Sequence, residues 1–306
     1  MRHCEGMTNA RHCSGGTAIR PVRGRRRAPI ALIAPILVLL ALLQAPRAPG
    51  APAGTFPPDS TAPDTADLVG AVSLPNGTGE ILPAPARPIR VGEYLKFSVR
   101  YGIISAGDAY LEIPEVRSFH GRPVFTLVAR AESNKFFSAF YRVRNRIESY
   151  WDTTGFFSRR FSENRHEGSY RELSEITFDY ERGEAVYKGG GPPIAIPPQC
   201  QDALSSFYFS RTQPLPMGGS VIFDYHASHR SQPIEVRVLG RQRIETPAGT
   251  FNCVAIEPIL KAAGIFSNQG RLVIWLTDDE YRMPVLMKSK VTIGSITVIL
   301  TEVRHG

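Results

Sequence analysis

The sequence contains none of the compact motifs that identify common enzymes and ion-binding proteins. It has no G-x-S-x-G turn, which excludes the usual nucleophile elbow of serine hydrolases. It also has no Asp-x-Asp-x-Asp-Gly loop for calcium and no glycine-rich loop for nucleotide phosphates. The sequence therefore predicts no catalytic residue, no metal site and no cofactor. A hydrolase whose catalytic groups come from distant strands is the least favoured of three functional hypotheses.

Long hydrophobic runs are scarce, and the one such run covers residues 30–43, directly after an arginine cluster at residues 20–27. A basic segment followed by a short apolar run is typical of a secretory signal. The run is interrupted by Pro35 and is shorter than the roughly 20 apolar residues that a membrane-spanning helix needs. Residues 1–53 are therefore predicted to be a signal peptide, with an uncleaved N-terminal anchor as the alternative. No cysteine lies directly after the run, where a lipoprotein signal would need one, and this disfavours a lipoprotein signal.

A basic excess is lacking outside this leader, where basic and acidic residues nearly balance. The whole chain has 36 Lys and Arg residues against 28 acids, but eight of the arginines and one acid lie in residues 1–48. The remainder is close to neutral and shows no basic patch interleaved with aromatic residues. Nucleic acid is therefore not expected as a partner.

Cysteine is also scarce, with four residues in the chain. Cys4 and Cys13 lie in the leader, and their spacing matches no usual zinc motif. Cys200 and Cys253 remain in the exported part, where an oxidising compartment allows disulfides. The sequence leaves two alternatives open, a Cys200–Cys253 disulfide or two free buried thiols.

Proline marks the boundary between the leader and the folded part. Residues 54–88 are rich in Pro and Ala, and such a segment buries too little apolar area to offset its ordering entropy. We predict a disordered linker at 54–88 and a single β domain at 89–306.

The dominant pattern in this domain is alternation with a period of two. Leu95, Phe97 and Val99 alternate with polar residues, and so do Ile234 and Val236. Together with frequent glycine turns, this pattern predicts an all-β, mostly antiparallel domain. About a dozen strands must close or fold over to protect their edges, so we expect a large curved sheet or a barrel-like domain.

Two segments depart from the strand pattern. Leu204, Phe207 and Tyr208 follow helical spacing after Asp202, a good N-cap residue, so a short helix is predicted near 202–211. A weaker helical pattern covers residues 134–140.

Short segments along the whole predicted domain together resemble an exported bacterial family, the domain of unknown function 3108. The residues that carry the resemblance are Val91–Phe97, Tyr101–Ala109, Asp202–Ser205, Tyr208, Arg211, Gly249–Cys253, Trp275–Asp279, Met283–Val285 and Ile293–Ser295. The resemblance covers about residues 91–303 and departs from the family pattern at Ala203, where a proline is expected. It implies an exported β domain in the periplasm or cell envelope of a bacterium, and it implies no reaction.

A stripe of three arginines is the strongest candidate in the sequence for a site that binds an anionic ligand. Arg142, Arg144 and Arg146 share one face of a predicted strand, and three guanidinium groups in a row suit phosphate or carboxylate binding. The alternative is a solvated outer face with cross-strand acids opposite, such as Glu163 or Glu175.

Histidines and clustered acids favour structural interpretations. His226 and His229 are expected to be solvated loop residues rather than a metal pair, since no further ligand is near in sequence. Asp278 to Glu280 are expected to form a turn between strands.

The first functional hypothesis is a non-catalytic binding domain for an apolar or amphiphilic ligand, such as a lipid. Its candidate wall residues are Tyr94, Phe97, Tyr101, Trp151, Tyr208 and Trp275. The second hypothesis is a scaffold or assembly protein that presents a β surface to an envelope protein. In both hypotheses the chain meets the membrane only through an uncleaved N-terminal segment.

Overall fold

The structure, a computed structural model, describes residues 88–260, 271–290 and 294–305. The predicted signal segment 1–53 and residues 54–87 of the predicted linker lie outside the described residues. Among the residues described, no helix is long and apolar enough to cross a membrane.

The described residues form fifteen strands and two helices. The first seven strands are β1 (Tyr94–Tyr101), β2 (Ile104–Glu112), β3 (Val116–Phe119), β4 (Arg122–Ser133), β5 (Val143–Asp152), β6 (Ser158–Glu167) and β7 (Tyr170–Asp179). The next four are β8 (Glu184–Tyr187), β9 (Ile194–Ala195), β10 (Ser220–Ala227) and β11 (Arg230–Thr246). The last four are β12 (Gly249–Leu260), β13 (Leu272–Thr277), β14 (Pro284–Lys290) and β15 (Ser295–Arg304). The helices are α1 (Lys135–Phe140) and α2 (Ala203–Thr212).

All fifteen strands belong to one sheet, and neighbouring strands pair antiparallel. The order is β10-β11-β12-β13-β14-β15-β1-β2-β4-β5-β6-β7-β8-β9, with β3 paired to β4 beside this path. The last strand pairs with the first, as Leu95 lies opposite Val303. The prediction of an all-β, mostly antiparallel, curved domain is confirmed.

The sheet curls so that the segment Cys200–Gln201 lies between β10, one end strand, and β6, which is near the other end. The carbonyl of Cys200 accepts a hydrogen bond from the amide of Ser158 in β6, at 3.1 Å. Gln201 forms a parallel bridge to Tyr225 in β10: its amide donates to the Asp224 carbonyl at 2.9 Å, and its carbonyl accepts the His226 amide at 2.8 Å. This short segment therefore links β6 to β10 and makes the sheet barrel-like.

Helix α2 begins inside the curled sheet, where Asp202 caps it. Asp202 Oδ1 accepts the amides of Leu204 and Ser205 at 2.8 Å, and the Ser205 hydroxyl accepts the Asp202 amide at 2.9 Å. This reciprocal capping box explains why the helix starts here. The helix packs on β4, β5 and β10, and Leu204 and Tyr208 join the core. Both predicted helices are confirmed, since α1 also forms after an Asn134 N-cap.

Candidate functional site

Two cavities lie on either side of the first turn of α2. The smaller, the core cavity, has a volume of about 80 Å³ and is lined almost wholly by apolar groups, among them Phe97, Leu204, Phe207 and Ile256. The larger has a volume of about 410 Å³ and lies between β10 and the strands β6 to β8. We call it the seam cavity. Ala203 lines both, so the first turn of α2 separates them.

The seam cavity has a buried floor and an exposed rim. One side comes from β6, β7 and β8, and the opposite side from β10 and its turn into β11. The full lining is Phe161, Glu163, Arg165, Tyr170, Glu172, Ser174, Ile176, Tyr187, Ala203, His226, Ala227, Ser228 and His229. The rim residues Tyr170, Glu172, Ser228 and His229 are exposed, while Glu163, Ile176 and His226 are buried. The cavity is therefore reached from the two turns that follow β6 and β10.

Glu163 places a carboxyl group on the cavity floor. It lies opposite Ile147 of β5, and because cross-strand partners share a face, the core position of Ile147 sets Glu163 inside. Its side chain is 4% exposed, and Oε1 has no hydrogen-bond partner. Burial, opposed by nearby Arg165, raises the pKa of Glu163 to about 7.

Arg165 is the guanidinium that faces the same cavity, and its partners are carboxylates. Nη2 contacts Glu167 Oε2 at 3.1 Å, and Nη1 lies 3.6 Å from Glu172 Oε2. Its Nε lies 3.9 Å from the free oxygen of Glu163, beyond hydrogen-bonding distance. The main hydrogen-bond partner of Arg165 is therefore Glu167.

His226 lies on the floor beside a tyrosine. Its Nε2 is 2.8 Å from the hydroxyl of Tyr187, and its Nδ1 is 2.8 Å from the hydroxyl of Ser231. Burial lowers the pKa of His226 to about 4, so the ring is neutral at pH 7. The expectation of a solvated loop residue is wrong for His226, because β10 continues through Ala227 and carries the ring into the interior. His229 is exposed on the turn and stacks on Tyr187.

A buried cluster of hydroxyl groups surrounds Asp202, and its geometry is structural. Asp202 Oδ2 accepts hydrogen bonds from Ser149 at 2.5 Å and Ser158 at 2.7 Å, while Oδ1 accepts two helix amides. Both oxygens are thus fully used in holding α2 against β5 and β6. Among the described residues, no group of three or more His, Cys, Asp or Glu side chains is placed to hold a metal.

The arginine stripe lies on the outside of the sheet. Arg142 precedes β5, and Arg144 and Arg146 alternate along it with buried residues. Arg144 lies opposite Glu132, and Arg146 contacts Glu148 at 3.0 Å. The acids proposed to lie opposite the stripe are placed elsewhere. Glu163 faces the interior, and Glu175 contacts Arg160 at 2.9 Å.

The aromatic wall residues mostly belong to the packed core. Trp151 and Trp275 are buried, and their indole N–H groups donate to Gln201 and Gln242 at 3.0 and 2.5 Å. Tyr208 is fully buried and, like both tryptophans, lines neither cavity. Tyr94 and Tyr101 also line neither, whereas Phe97 lines the core cavity. Ligand contacts for Arg142, Arg144, Arg146, Trp151, Tyr208 and Trp275 stay predictions.

The two cysteines of the domain are separate buried thiols. Cys200 lies in the segment that closes the sheet, and Cys253 lies in β12. Burial raises the pKa of both thiols, that of Cys253 to about 12, so neither is a reactive thiolate at pH 7. Of the two alternatives that the sequence left open, the structure has the free thiols.

Sequence reasoning named Glu163, His226 and His229 but did not predict that they line one cavity. The signal for the β6 side of this cavity is the run Phe161, Glu163, Arg165 and Glu167, in which charged residues continue the face of a buried aromatic. Period two alone does not tell which face of such a strand is buried, because its other face is also polar.

Comparison with solved structures finds several matches at low sequence identity. A β-barrel-like protein of the domain of unknown function DUF1849 from Brucella abortus matches with a TM-score of 0.49 and 10% identity, covering 70% of this chain and 97% of that one. A candidate lipoprotein from Parabacteroides distasonis matches with a TM-score of 0.32 and 10% identity, covering 70% and 95%. A candidate exported protein with a YmcC-like fold from Bacteroides fragilis has a TM-score of 0.29 and 13% identity, covering 70% and 96%.

Comparison by sequence gives the family. No curated protein matches the chain significantly. The family model described as protein of unknown function DUF3108 matches residues 96–301, which span β1 to β15 and include both cavities. That match covers more than half of the chain, and the chain therefore belongs to the DUF3108 family.

Proposed function

We propose that this protein is an exported, non-catalytic binding domain for an amphiphilic ligand, whose polar group lies in the seam cavity. The observation that carries the proposal is the seam cavity itself. Its volume of about 410 Å³ lies within the roughly 300–1,000 Å³ typical of ligand pockets. Export is supported by the apolar run at 30–43 that follows the arginine cluster.

The lining of the seam cavity suits a ligand with a polar and an apolar part. Phe161, Ile176 and the two alanines give an apolar surface, and charged, hydroxyl and imidazole side chains occupy the remainder. The core cavity, beyond Ala203, has about half the volume of the ~150 Å³ apolar cavity that accommodates benzene. The seam cavity is therefore the ligand volume in this proposal.

Filling the seam cavity tests the proposal. Ser174 lies on the cavity face of β7, so Ser174→Trp places an indole in the space that the ligand needs. Leu173 is its neighbour on the outer face and is 68% exposed, so Leu173→Trp is the matched control. We expect the purified exported chain to bind monomeric dodecyl maltoside in titration calorimetry. The Ser174→Trp variant should bind at least tenfold more weakly, and the control should be unchanged. Absence of binding by the unmodified protein, or equal binding by Ser174→Trp, would contradict the proposal.

A second function, presentation of a surface to an acidic envelope protein, is favoured by a separate observation. Apolar side chains are exposed around α1 and the β1–β2 turn. Phe136 and Phe140 of α1 are 63% and 76% exposed, and Ile103 in the turn is 98% exposed. Asn134 donates to the Ser105 carbonyl at 2.7 Å, which holds α1 beside the β1–β2 turn. The arginine stripe begins directly after α1, so basic and apolar groups adjoin.

Site-specific cross-linking tests this second function. A photo-crosslinking residue at position 140 should trap one defined envelope protein in intact cells, and the same residue at position 173 should not. Because the surface is proposed to recognise acidic groups, Arg142→Glu combined with Arg144→Glu should abolish the product. A product that persists in that double variant, or no product at all, would count against the function.

A further inference from the structure

The floor of the seam cavity contains an acceptor for which the protein supplies no donor. Glu163 is buried, and its Oε1 makes no hydrogen bond. A buried acceptor left unsatisfied costs roughly 1–3 kcal/mol, so such groups are rare in folded proteins and call for an explanation. Oε1 belongs to a side chain that lines a cavity large enough for a ligand.

Three nearby polar side chains, Tyr170, Tyr187 and Arg165, have partners other than Glu163. The Tyr170 hydroxyl donates to Glu172 Oε2 at 2.5 Å. The Tyr187 hydroxyl lies 2.8 Å from His226 Nε2 and accepts the amide of His229 at 2.9 Å. Arg165 donates to both oxygens of Glu167, at 3.1 to 3.3 Å. None of these groups donates to Glu163 Oε1, so a bound molecule that carries a donor would satisfy this oxygen.

The charged side chains around this floor indicate the sign of the charge that the bound molecule carries. Glu163, Glu167 and Glu172 are three acids clustered around one guanidinium, that of Arg165. His226 adds no positive charge, because its pKa lies at about 4. With the acids ionised, the site lacks positive charge, and an opposite charge within about 4–6 Å stabilises a buried carboxylate.

We infer that Glu163 binds a protonated primary or secondary amine of the ligand, through an N–H donated to its free oxygen. This inference rests on the proposed function and specifies the ligand class as an amine-bearing amphiphile. A quaternary ammonium carries the same charge but has no N–H, so it leaves the acceptor unsatisfied. The site should therefore prefer an amine to a trimethylammonium group.

The groups that face Glu163 define the background for a pH test. They are Arg165 and Glu167 on β6, Tyr170 and Glu172 on β7, Tyr187 on β8, and Tyr225, His226 and His229 on β10 and its turn. An alkylamine has a pKa of about 10, like that of lysine, and stays protonated from pH 8 to 6. A change in its affinity over this range therefore comes from the titration of a group of the protein.

The test compares three probes that share one tail: dodecylammonium, dodecyltrimethylammonium and dodecyl maltoside, each below its micelle concentration. We expect the protein to bind dodecylammonium at least tenfold more tightly than dodecyltrimethylammonium at pH 8. In Glu163→Gln that ratio should fall at least fivefold, because a neutral amide oxygen is a weaker acceptor for a charged N–H than a carboxylate. Glu175→Gln, on the outer face of β7, should leave every affinity unchanged. Dodecylammonium affinity should also fall from pH 8 to 6 in the unmodified protein, because protonation of Glu163 removes the negative charge that attracts the ammonium group, and it should stay flat in Glu163→Gln.

The outcomes separate this inference from the proposed function. If dodecyl maltoside binds but the ratio of the two cationic probes is near one, or persists in Glu163→Gln, the amine site is refuted and the binding function stands. If none of the three probes binds, the proposed function itself is refuted.

Discussion

The guanidinium of Arg211 and the carboxylate of Glu93 form a bidentate ion pair in the interior of the protein. Nη1 donates to Oε1 at 2.7 Å and Nη2 donates to Oε2 at 2.6 Å. The same guanidinium donates to the backbone carbonyls of Pro88, Tyr281 and Arg282. It thereby ties the last turn of α2 to the residues before β1 and to the turn between β13 and β14. With Asp202 capping the other end, α2 is fixed at both termini beside the two cavities.

Replacing Arg211 by Met should destabilise the protein by about 3–5 kcal/mol, since it leaves Glu93 as an uncompensated buried carboxylate. The free energy of unfolding in urea measures this loss. Arg182→Ala is the control, because Arg182 is 78% exposed and lies 3.8 Å from Asp179, and such surface pairs contribute at most ~1 kcal/mol. A loss for Arg211→Met no larger than that of the control would show that the ion pair does not hold α2.

Tyr208→Phe should leave stability unchanged or raise it. The Tyr208 side chain is fully buried, and its hydroxyl has no hydrogen-bond partner, so removing the oxygen removes an unsatisfied group. Tyr180→Phe is the contrasting variant. The Tyr180 hydroxyl donates to the Cys200 carbonyl at 3.0 Å, and losing this bond should cost about 0.5–1.5 kcal/mol. Thermal unfolding of both variants checks the difference, and a larger loss for Tyr208→Phe would contradict it.

Elements whose signals are local in sequence could be predicted. Asp202 followed by helically spaced apolar residues gave the position of α2 within one residue at each end, because capping and amphipathicity act over a single helix. The face shared by Ile234, Val236 and Val238 is buried in β11 as their alternation indicates. These patterns depend on neighbours that the sequence places side by side.

Relationships between distant segments could not be predicted. Arg211 and Glu93 are 118 residues apart, and nothing local marks either as buried. In β6 both faces carry charged residues, so periodicity could not tell that Glu163 points inward while Asn164 is exposed. The pairing of Ile147 with Glu163 decides this, and it follows from the register of two strands rather than from either alone.

Gly107 should not tolerate alanine, because β2 passes close to β4 at this point. A Cβ at Gly107 would lie 2.0 Å from the carbonyl oxygen of Glu132, a backbone atom that cannot move without displacing the strand. We expect Gly107→Ala to cost more than ~2 kcal/mol, as overpacking against backbone does. Gly240 in β11 has open space around its Cβ position, so Gly240→Ala should change stability by less than ~1 kcal/mol. Similar unfolding midpoints for the two variants would refute the close approach.

His226 should make the protein less stable as the pH falls below neutrality. Unfolded histidine takes up a proton near pH 6.5, whereas burial lowers the pKa of folded His226 to about 4. Its contribution to stability is therefore present above pH 6.5 and is lost as the pH falls through about 4, a change of roughly 3 kcal/mol. Compared with His226→Asn, the unmodified protein should lose unfolding free energy across this interval. Parallel curves for the two proteins would mean that the ring titrates normally.

Glu163 should act in the opposite direction over an overlapping range. Its pKa is raised from 4.5 to about 7 by burial, so between these values the folded protein binds a proton that the unfolded chain has released. Its contribution to stability is fully present below pH 4.5 and is lost as the pH rises through about 7, again by roughly 3 kcal/mol. Relative to Glu163→Gln, the unmodified protein should thus become less stable from pH 4.5 to 7. Glu175→Gln should reveal the reverse trend below pH 4.5, because the hydrogen bond from Arg160 lowers the pKa of Glu175, so its contribution is present above pH 4.5 and is lost as the pH falls further. Urea unfolding of the three proteins at half-unit pH steps separates the two signs, and a slope shared by both variants would show that Glu163 is not held as a buried, unpaired carboxyl.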